Sequence, residues 1–262
     1  MWGADSYNIH TDLWVSVNAS SLVDLMDDAG VSWKQYSENY VAAAGGACNN
    51  TYGQGPYDAQ GTLIYQRKHV PPILFEPVSS NITRCQNIVN ADQFHIDLSN
   101  DALPQVSVYT PNLQHDGHDS DSSNDPLPFS AGMWLNAWLD QYLPTLQQQG
   151  VLVMVTFDEA TTADGIDPPE QENQVVTLFF GNESLVTPNS SYSGYMNHYA
   201  IARGLEANFG LGNLGRNDTA AQNGMIHDAL LGAVNGTAPA YNYSYVPVAK
   251  MPQLKHLIEH SN

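Results

Sequence analysis

An almost continuous apolar run, Val151–Phe157, ends in two adjacent carboxylates, Asp158 and Glu159. A Val-rich run without alternation is typical of a strand buried on both faces, as in a parallel sheet covered by helices. Gln174–Phe180 is a second run of this kind, whereas Gln105–Thr110 alternates apolar and polar residues as strands do. We therefore expect Val151–Phe157 to be the central strand of a sheet, with the two carboxylates at its exit.

Helical periodicity occurs in four segments between and around these strands. In the first, Ser20 or Ser21 precedes an apolar stripe and Gly30 follows it, as expected for an N-cap and a helix end. The alternation of strands and helices favours an α/β layered fold with a parallel sheet. We expect a single domain over 1–262, in which 219–262 form a surface-wrapping tail. The predicted helices are Ser20–Ala29, Asn90–Ala102, Met133–Leu146 and Asn197–Phe209.

The chain of 262 residues is strongly acidic, with 27 Asp and Glu against 8 Lys and Arg and a net charge of -19 at pH 7. This charge argues against nucleic acids and anionic membrane surfaces as general partners. It suits solubility in acidic surroundings, where many carboxylates are partly protonated. No apolar run approaches the ~20 residues that a membrane-spanning helix needs.

Glycosylation sequons are spread over almost the whole chain and indicate a secreted, extracellular glycoprotein. In that compartment Cys48 and Cys85 would form a disulfide closing a loop of roughly 37 residues, which contributes about 3–4 kcal/mol; two buried free thiols are the alternative. Met1–Asp5 shows no signal-peptide pattern, so we expect a mature form or a chain whose beginning is missing. The sequons lie at Asn18, Asn49, Asn81, Asn182, Asn189, Asn217, Asn235 and Asn242.

A second acidic and histidine-rich segment, Asn112–Asp119, directly follows the predicted strand Gln105–Thr110. Ligands of open α/β sheets gather at the carboxyl ends of the strands, so we expect this segment and the Asp158-Glu159 pair to lie at one rim. Carboxylates and imidazoles spread over several strand ends are typical of metal-assisted hydrolysis. The candidate donors are Asp116, His118, Asp158, Glu159 and His198, and protonated His115 or His69 could bind phosphoryl oxygens.

Each candidate also has a structural interpretation. The Asp158-Glu159 pair could be a polar turn, His118 a hydrogen-bonded loop histidine, and His198 a residue that caps a helix. Arg67-Lys68-His69 is the densest cationic cluster and could be a solvated surface turn. No Ser or Thr lies in a recognisable nucleophile motif, and the sequence contains neither a P-loop nor a zincin motif.

Several segments together resemble the secreted fungal acid phosphatases of the phosphoesterase family, within the alkaline-phosphatase-like superfamily. Their order and spacing are similar across roughly Trp2 to Asp218. The segments are Arg67-Lys68-His69, Thr83 to Val89, Tyr109-Thr110-Pro111-Asn112 with Asp116-Gly117-His118-Asp119, Thr156-Phe157-Asp158-Glu159, and His198-Tyr199 to Gly215-Arg216-Asn217-Asp218.

The resemblance implies a three-layer α/β/α sandwich, hydrolysis of a small phosphomonoester and a divalent metal ion. It implies metal ligation by Asp158 and Glu159, and it supports a Cys48–Cys85 bridge. Asp116 and His118 are assigned to the metal, and His198, His115, His69 and Arg67 to phosphate.

The sequence departs from the family pattern in two respects. Family members carry, upstream of the matched region, a Glu-Asn pair after the first strand and a serine segment that holds the nucleophile, and neither is present here. Asp158-Glu159 is also followed by Ala160 instead of the family's Asn. We therefore expect this chain to lack the first strand, the nucleophile and part of the metal shell, and to be weakly active or inactive. The alternatives are a phospholipase C or phosphodiesterase of the same family, a glycosidase that uses paired carboxylates, and a non-catalytic secreted protein.

Overall fold

The computed structural model describes residues 1–10, 13–51, 56–118, 127–159, 174–181, 186, 190–192 and 194–226, with side chains from residue 130 onward in the helix that begins at 127. The strands are β1 (Trp33–Ser37), β2 (Ile88–Asn90), β3 (Val106–Thr110), β4 (Val153–Thr156) and β5 (Thr177–Phe180). The helices are α1 (Leu22–Ala29), α2 (Glu76–Ser79), α3 (Ile82–Cys85), α4 (Asp92–Ser99), α5 (Leu127–Gln148) and α6 (Tyr199–Phe209). Among the described helices, none combines the length and apolar character needed to span a membrane.

Three strands form a parallel sheet in the order β2-β1-β3. β1 is the central strand, with Tyr36 opposite Val89 on one side and Tyr109 on the other. Because all three strands point the same way, the residues that follow them meet at one edge of the sheet. The predicted α/β class with a parallel sheet is confirmed.

Alternate residues of the sheet pack into different hydrophobic clusters. Trp33 on one face packs with α1 residues such as Met26. Tyr36 on the other face packs against Phe94 of α4, with ring centroids 5.2 Å apart. Helices thus cover both faces, which gives the layered α/β/α arrangement. The α4 and α5 side chains of the second cluster are Phe94, Leu98, Trp138, Tyr142 and Leu146.

The assignment of Val151–Phe157 as a central strand buried on both faces was wrong. Among the described strands, β4 pairs with β5 alone, in antiparallel orientation, and all four of its residues are half-buried. Phe157, just after β4, is exposed, as are Val176 and Leu178 of the partner segment, so neither strand is enclosed. An uninterrupted apolar run does not show which faces of a strand are buried by other elements, and here the apolar side chains are only partly buried.

Most predicted elements are present with shifted ends. Ser21 caps α1 through its side chain and Gly30 ends it at φ 69°. The helix predicted at Met133–Leu146 is longer and begins at Leu127. Residues 119–126 and 160–173, in two predicted loops, and 227–262 of the predicted tail lie outside the described residues.

A disulfide joins Cys48 in the loop after β1 to Cys85 in α3, with the Cα atoms 4.9 Å apart. The predicted bridge is confirmed, and free thiols are excluded for both cysteines. The bridge anchors the long loop after β1 beside the sheet.

The segment after α6 returns to the beginning of the chain. Arg216 donates to the carbonyl oxygens of Gly3 at 2.7 Å and Ser20 at 2.9 Å. The backbone N–H of Asn217 donates to Ala4 O at 3.1 Å. Asp218 is buried, accepts from the backbone N–H groups of this turn, and contacts the buried Glu206 of α6. The N-terminal segment is therefore held by residues about two hundred positions later.

Candidate active site

Glu38 lies directly after β1 and organises the loop that follows β3. Its carboxylate accepts hydrogen bonds from His115 Nδ1 at 2.7 Å, the Asn112 backbone N–H at 3.0 Å and the Tyr109 hydroxyl at 3.0 Å. Glu38 is not among the site residues predicted from the sequence. A Glu-Asn pair directly after a strand was the available signal, but the sequence pattern does not predict β1 at its full length.

The neighbouring Asn39 fixes the turn that places Glu38. Asn39 has φ 62°, in the left-handed region that asparagine tolerates better than most residues. Its side-chain oxygen accepts from Asn112 Nδ2 at 2.9 Å. The loops after β1 and β3 are therefore tied to each other by two adjacent side chains.

Charge and stacking hold His115 in place. Burial alone would raise the pKa of the Glu38 carboxyl, but hydrogen bonds from His115 and the Asn112 N–H hold that pKa below its ordinary value. The His115 ring also stacks on Trp134 of α5, with centroids 5.6 Å apart and planes 17° apart. Its Nδ1 is committed to Glu38, which leaves Nε2 for another partner.

Asp116 is the centre of a second histidine–carboxylate group. One of its oxygens lies 3.0 Å from His69 Nδ1, and the other accepts the His118 backbone N–H at 2.8 Å. The rings of His69 and His118 are 5.6 Å apart. Asp116 and His69 are both largely buried, with side-chain exposures of 13% and 19%. Three of the predicted site residues therefore lie together.

Arg67, assigned to phosphate from the sequence, has a structural role in these contacts. Its guanidinium donates to Asn50 Oδ1 at 3.0 Å, to Val15 O at 2.9 Å and to Ile73 O at 3.0 Å. It also lies over the Trp14 ring, 5.0 Å from the centroid. The side chain is buried, and all three nitrogens are engaged. These bonds use three of the five guanidinium N–H groups, and the residue is only 4% exposed, so a phosphate can reach the other two only if neighbouring residues move.

The exit of β4 approaches the Asp116 loop through Gly117. A Cβ at this glycine would lie 3.6 Å from Phe157 Cε1, and its φ of 89° favours glycine. Asp158 and Glu159 follow Phe157 and are exposed. His198, at the N-cap of α6, lies with Nε2 2.7 Å from the Asp158 carbonyl oxygen. The predicted rim therefore contains residues from both loops, although β4 belongs to a separate sheet.

The described residues fit a divalent ion only in part. Asp116, Asp158 and Glu159 are suitable oxygen donors on neighbouring loops. Within the described part of the chain, however, no three His, Cys, Asp or Glu residues lie close enough together to hold a metal ion. Asp116 is already bonded through both oxygens. These residues do not form a metal site by themselves.

The arrangement can bind an anion and hold protons beside it. At acidic pH a histidine ring carries protons on both nitrogens. His69 and His115 can then each donate one proton to a carboxylate and offer the other to a phosphoryl oxygen. Glu38 and Asp116 fix the orientation of the two rings, as the acidic members of catalytic histidine pairs do.

Comparison with known proteins identifies related chains. The model of the Phosphoesterase family matches residues 3–212. A protein named probable acid phosphatase from Kluyveromyces lactis is 35% identical over 223 residues, which cover 82% of this chain and 48% of that protein. The phosphate-repressible acid phosphatase of Penicillium chrysogenum is 32% identical over 84% of this chain and 50% of its own length.

An acid phosphatase of Aspergillus niger is 31% identical over 84% of this chain and 48% of its own length. This chain thus spans about half the length of the curated relatives that it matches.

Proposed function

Because this chain belongs to the phosphoesterase family, we propose that it is part of a phosphoric-ester hydrolase of the acid phosphatase kind, acting on small phosphomonoesters. The observation that carries this proposal is the pairing of His69 with Asp116 and of His115 with Glu38 at the carboxyl edge of the parallel sheet. Acid phosphatases among its relatives support the reaction type. The phospholipase C, phosphodiesterase and glycosidase alternatives have no observation in their favour.

The two histidines would bind and orient the phosphoryl group. A protonated ring supplies the positive charge that an acidic protein otherwise lacks at such a site. Carboxylate partners keep each Nδ1 occupied and so direct each Nε2 toward the bound anion. We assign phosphate contact to His69, His115 and His198.

A divalent ion belongs to the proposal as an expectation from the family. When bound, it would polarise the phosphoryl oxygens and neutralise charge in the transition state. Asp158 and Glu159, with Asp116 and His118, are the donors that we assign to it. Further donors would be required, since the described residues offer only a partial set.

We also propose that the protein works outside the cell in acidic surroundings. The net charge of -19 and the spread of sequons support this location. The single disulfide supports it as well, because disulfides persist in oxidising compartments.

Binding and turnover of the purified chain test the proposal separately. We expect the 262-residue chain to bind orthovanadate and a divalent ion at pH 5, measured by calorimetry and elemental analysis, with weak hydrolysis of p-nitrophenyl phosphate. The His69→Ala variant should lose vanadate binding by at least about tenfold. His95→Ala, on the exposed side of α4, is the matched control and should bind normally.

One result would remove the proposal, and another would change only the expected activity. Absence of vanadate and metal binding by the folded chain would remove the hydrolase interpretation. Rapid, vanadate-sensitive hydrolysis would contradict the expectation of weak activity and leave the reaction class intact.

A further inference from the structure

The side chain of Thr110 lies at the edge of the sheet where the candidate site is built. Thr110 is the last residue of β3, and its carbonyl oxygen accepts the backbone N–H of Glu38 at 3.0 Å. Glu38 in turn holds His115. From the hydrogen bonds of Thr110 we propose that its hydroxyl is a further contact to the phosphoryl group, and that it acts there as a donor and not as the nucleophile. This assignment rests on the proposed function.

The side chain of Thr110 points to the sheet face on which the His69 segment lies. Successive residues of a strand point to opposite faces, so Thr110 shares a face with Val108, and Tyr109 points the other way. Val108 packs against a hydrophobic cluster that contains Val70, the residue directly after His69. The hydroxyl therefore lies on the His69 side of the carboxyl edge.

Gln35 of β1 fixes how the Thr110 oxygen can be used. Its side chain is fully buried, and Nε2 donates to Thr110 Oγ1 at 2.9 Å and to the Tyr36 carbonyl oxygen at 3.3 Å. A carbonyl oxygen can only accept, so the contact with Tyr36 assigns the amide nitrogen to this side of Gln35. One lone pair of Thr110 Oγ1 is thus occupied by a donor.

The hydroxyl proton of Thr110 is left for another acceptor. Within the described part of the chain, the bond from Gln35 is the only side-chain hydrogen bond of Thr110. The residue is half-buried, so part of it can be reached from solvent. A phosphoryl oxygen is a strong acceptor, and a hydrogen bond to a charged group contributes more than one between neutral groups. Thr110 would add a neutral donor to the protonated histidines.

The same bond argues against Thr110 as the nucleophile. A hydroxyl attacks after an adjacent base has taken its proton. The amide of Gln35 is no such base, and its N–H occupies a lone pair of the Thr110 oxygen. Among the described residues, no carboxylate or imidazole is bonded to this hydroxyl. Thr110 is therefore suited to donate its proton in a hydrogen bond and keep it.

Vanadate titrations of the full chain at pH 5 test the assignment. Thr110→Val keeps the branched shape and removes the hydroxyl, so we expect vanadate affinity to fall by at least about tenfold, as for a lost hydrogen bond to a charged group. Thr110→Ser keeps the hydroxyl and should bind as tightly as the parent. Ser107→Ala, at an exposed position of the same strand, is the control and should also bind like the parent.

A double variant separates anion binding from support of the sheet. Thr110→Val leaves a buried N–H of Gln35 without its partner, so it should also lower the melting temperature. Combining Gln35→Met with Thr110→Val removes both partners and should restore part of the melting temperature, while vanadate affinity stays low. Recovery of affinity together with stability would show that Thr110 only supports the sheet, and would overturn the assignment.

Mass spectrometry tests the donor role against the nucleophile role. The chain is incubated with p-nitrophenyl phosphate at pH 5, quenched in acid and digested, and the peptide that contains Thr110 is examined for phosphate. We expect no phosphothreonine at this position. Its detection would make Thr110 the nucleophile and overturn the donor role.

The titrations also distinguish failure of this assignment from failure of the proposed function. If the parent binds vanadate and Thr110→Val binds it equally well, the contact with Thr110 is refuted and the hydrolase proposal is unaffected. If the folded parent binds no vanadate, the proposed function fails and the assignment of Thr110 fails with it.

Discussion

Glu38 shows how much of a site can depend on one carboxylate. It accepts one hydrogen bond from Tyr109 of β3 and two from the loop after β3, and it holds His115 against Trp134. The side chain of Glu38 is only 17% exposed, so its bonds are partly shielded from water. Hydrogen bonds to a charged group in such a position contribute more than those between neutral groups.

Removing the charge of Glu38 should weaken the site without unfolding the protein. For Glu38→Gln we expect a loss in vanadate affinity of roughly tenfold, about 1.4 kcal/mol, because His115 loses its anionic partner. Calorimetric titration at pH 5 measures this. Glu76→Gln, an exposed change on α2, is the control. Unchanged affinity in Glu38→Gln would mean that His115 does not contact the anion.

Arg67 allows a structural role to be distinguished from phosphate binding. Lysine cannot reproduce its three donors to Asn50, Val15 and Ile73. We therefore expect Arg67→Lys to lower the free energy of unfolding by about 2 kcal/mol, seen in urea titrations. If the variant instead kept its stability and lost vanadate affinity, the result would support phosphate binding by Arg67.

At the scale of elements, we expect a glycine-to-alanine substitution to have opposite effects on stability at two positions. Gly30 ends α1 at φ 69°, whereas Gly132 is exposed within α5, where a Cβ would have no neighbouring atom within 4 Å. Gly30→Ala should destabilise by about 1 kcal/mol through backbone strain, and Gly132→Ala should stabilise by about 0.5–1 kcal/mol through helix propensity. Thermal unfolding of the two variants provides the comparison. Changes of the same sign would contradict these backbone assignments.

The elements also show where sequence patterns fail. Helices α1, α4, α5 and α6 and strands β3 and β5 could be predicted because their apolar positions follow the expected periods. The central strand β1 could not be predicted at its full length, since polar residues with distant partners interrupt it. Gln35 is fully buried and donates to Thr110 Oγ1, and Lys34 pairs with Asp97 at 2.6 Å. Partners that satisfy these groups lie more than 60 residues away, so no local pattern reports them.

The residues of the candidate site also divide into those that the local sequence reveals and those that depend on distant contacts. The acidic and histidine-rich loop after β3 was visible because its residues are adjacent in sequence. Glu38 was not, because its partners lie more than 70 residues further along the chain. Arg67 was assigned to phosphate with the family resemblance, but its burial and its bonds to backbone carbonyls are set by tertiary contacts that the sequence does not show.

At the scale of the whole molecule, a pair of buried carboxyl groups links α6 to the turn that holds the N-terminal segment. Burial and the neighbouring Asp218 raise the pKa of Glu206 to about 7. Burial also opposes ionisation of Asp218, but hydrogen bonds from the Arg216 and Leu214 N–H groups lower its pKa. Arg203 of the same helix is the cation that acts on Glu206. Glu206 therefore keeps its proton in weakly acidic solution and shares it with Asp218.

This pair predicts greater stability in acid than at neutral pH. The pKa of Glu206 is 4.5 unfolded and about 7 folded, so between these values the folded chain binds more protons. The free energy of unfolding then falls as pH rises through this window, by at most about 3 kcal/mol. Asp218, whose pKa is lowered, contributes above 3.8 and loses its contribution in stronger acid.

Melting temperatures measured from pH 4 to pH 8 test the prediction. The parent should melt at a lower temperature as pH rises from 5 to 7, and Glu206→Gln should show a flatter profile, because glutamine donates to Asp218 without ionising. Glu76→Gln should follow the parent. A Glu206→Gln profile as steep as the parent's would assign the pH dependence to other groups.

The bond from Arg216 to Gly3 spans 213 residues, and this distance along the chain has a kinetic consequence. During synthesis the segment before α1 can contact Leu74 and Phe75 early, but its bonds with Arg216 and Asn217 form only after nearly everything up to these residues has left the ribosome. Contacts between such remote positions slow folding, because a long loop must close before any of them forms. Nascent chains halted before Arg216 should therefore be cut more readily by proteases in the segment before α1, and release beyond Asn217 should reduce this cleavage.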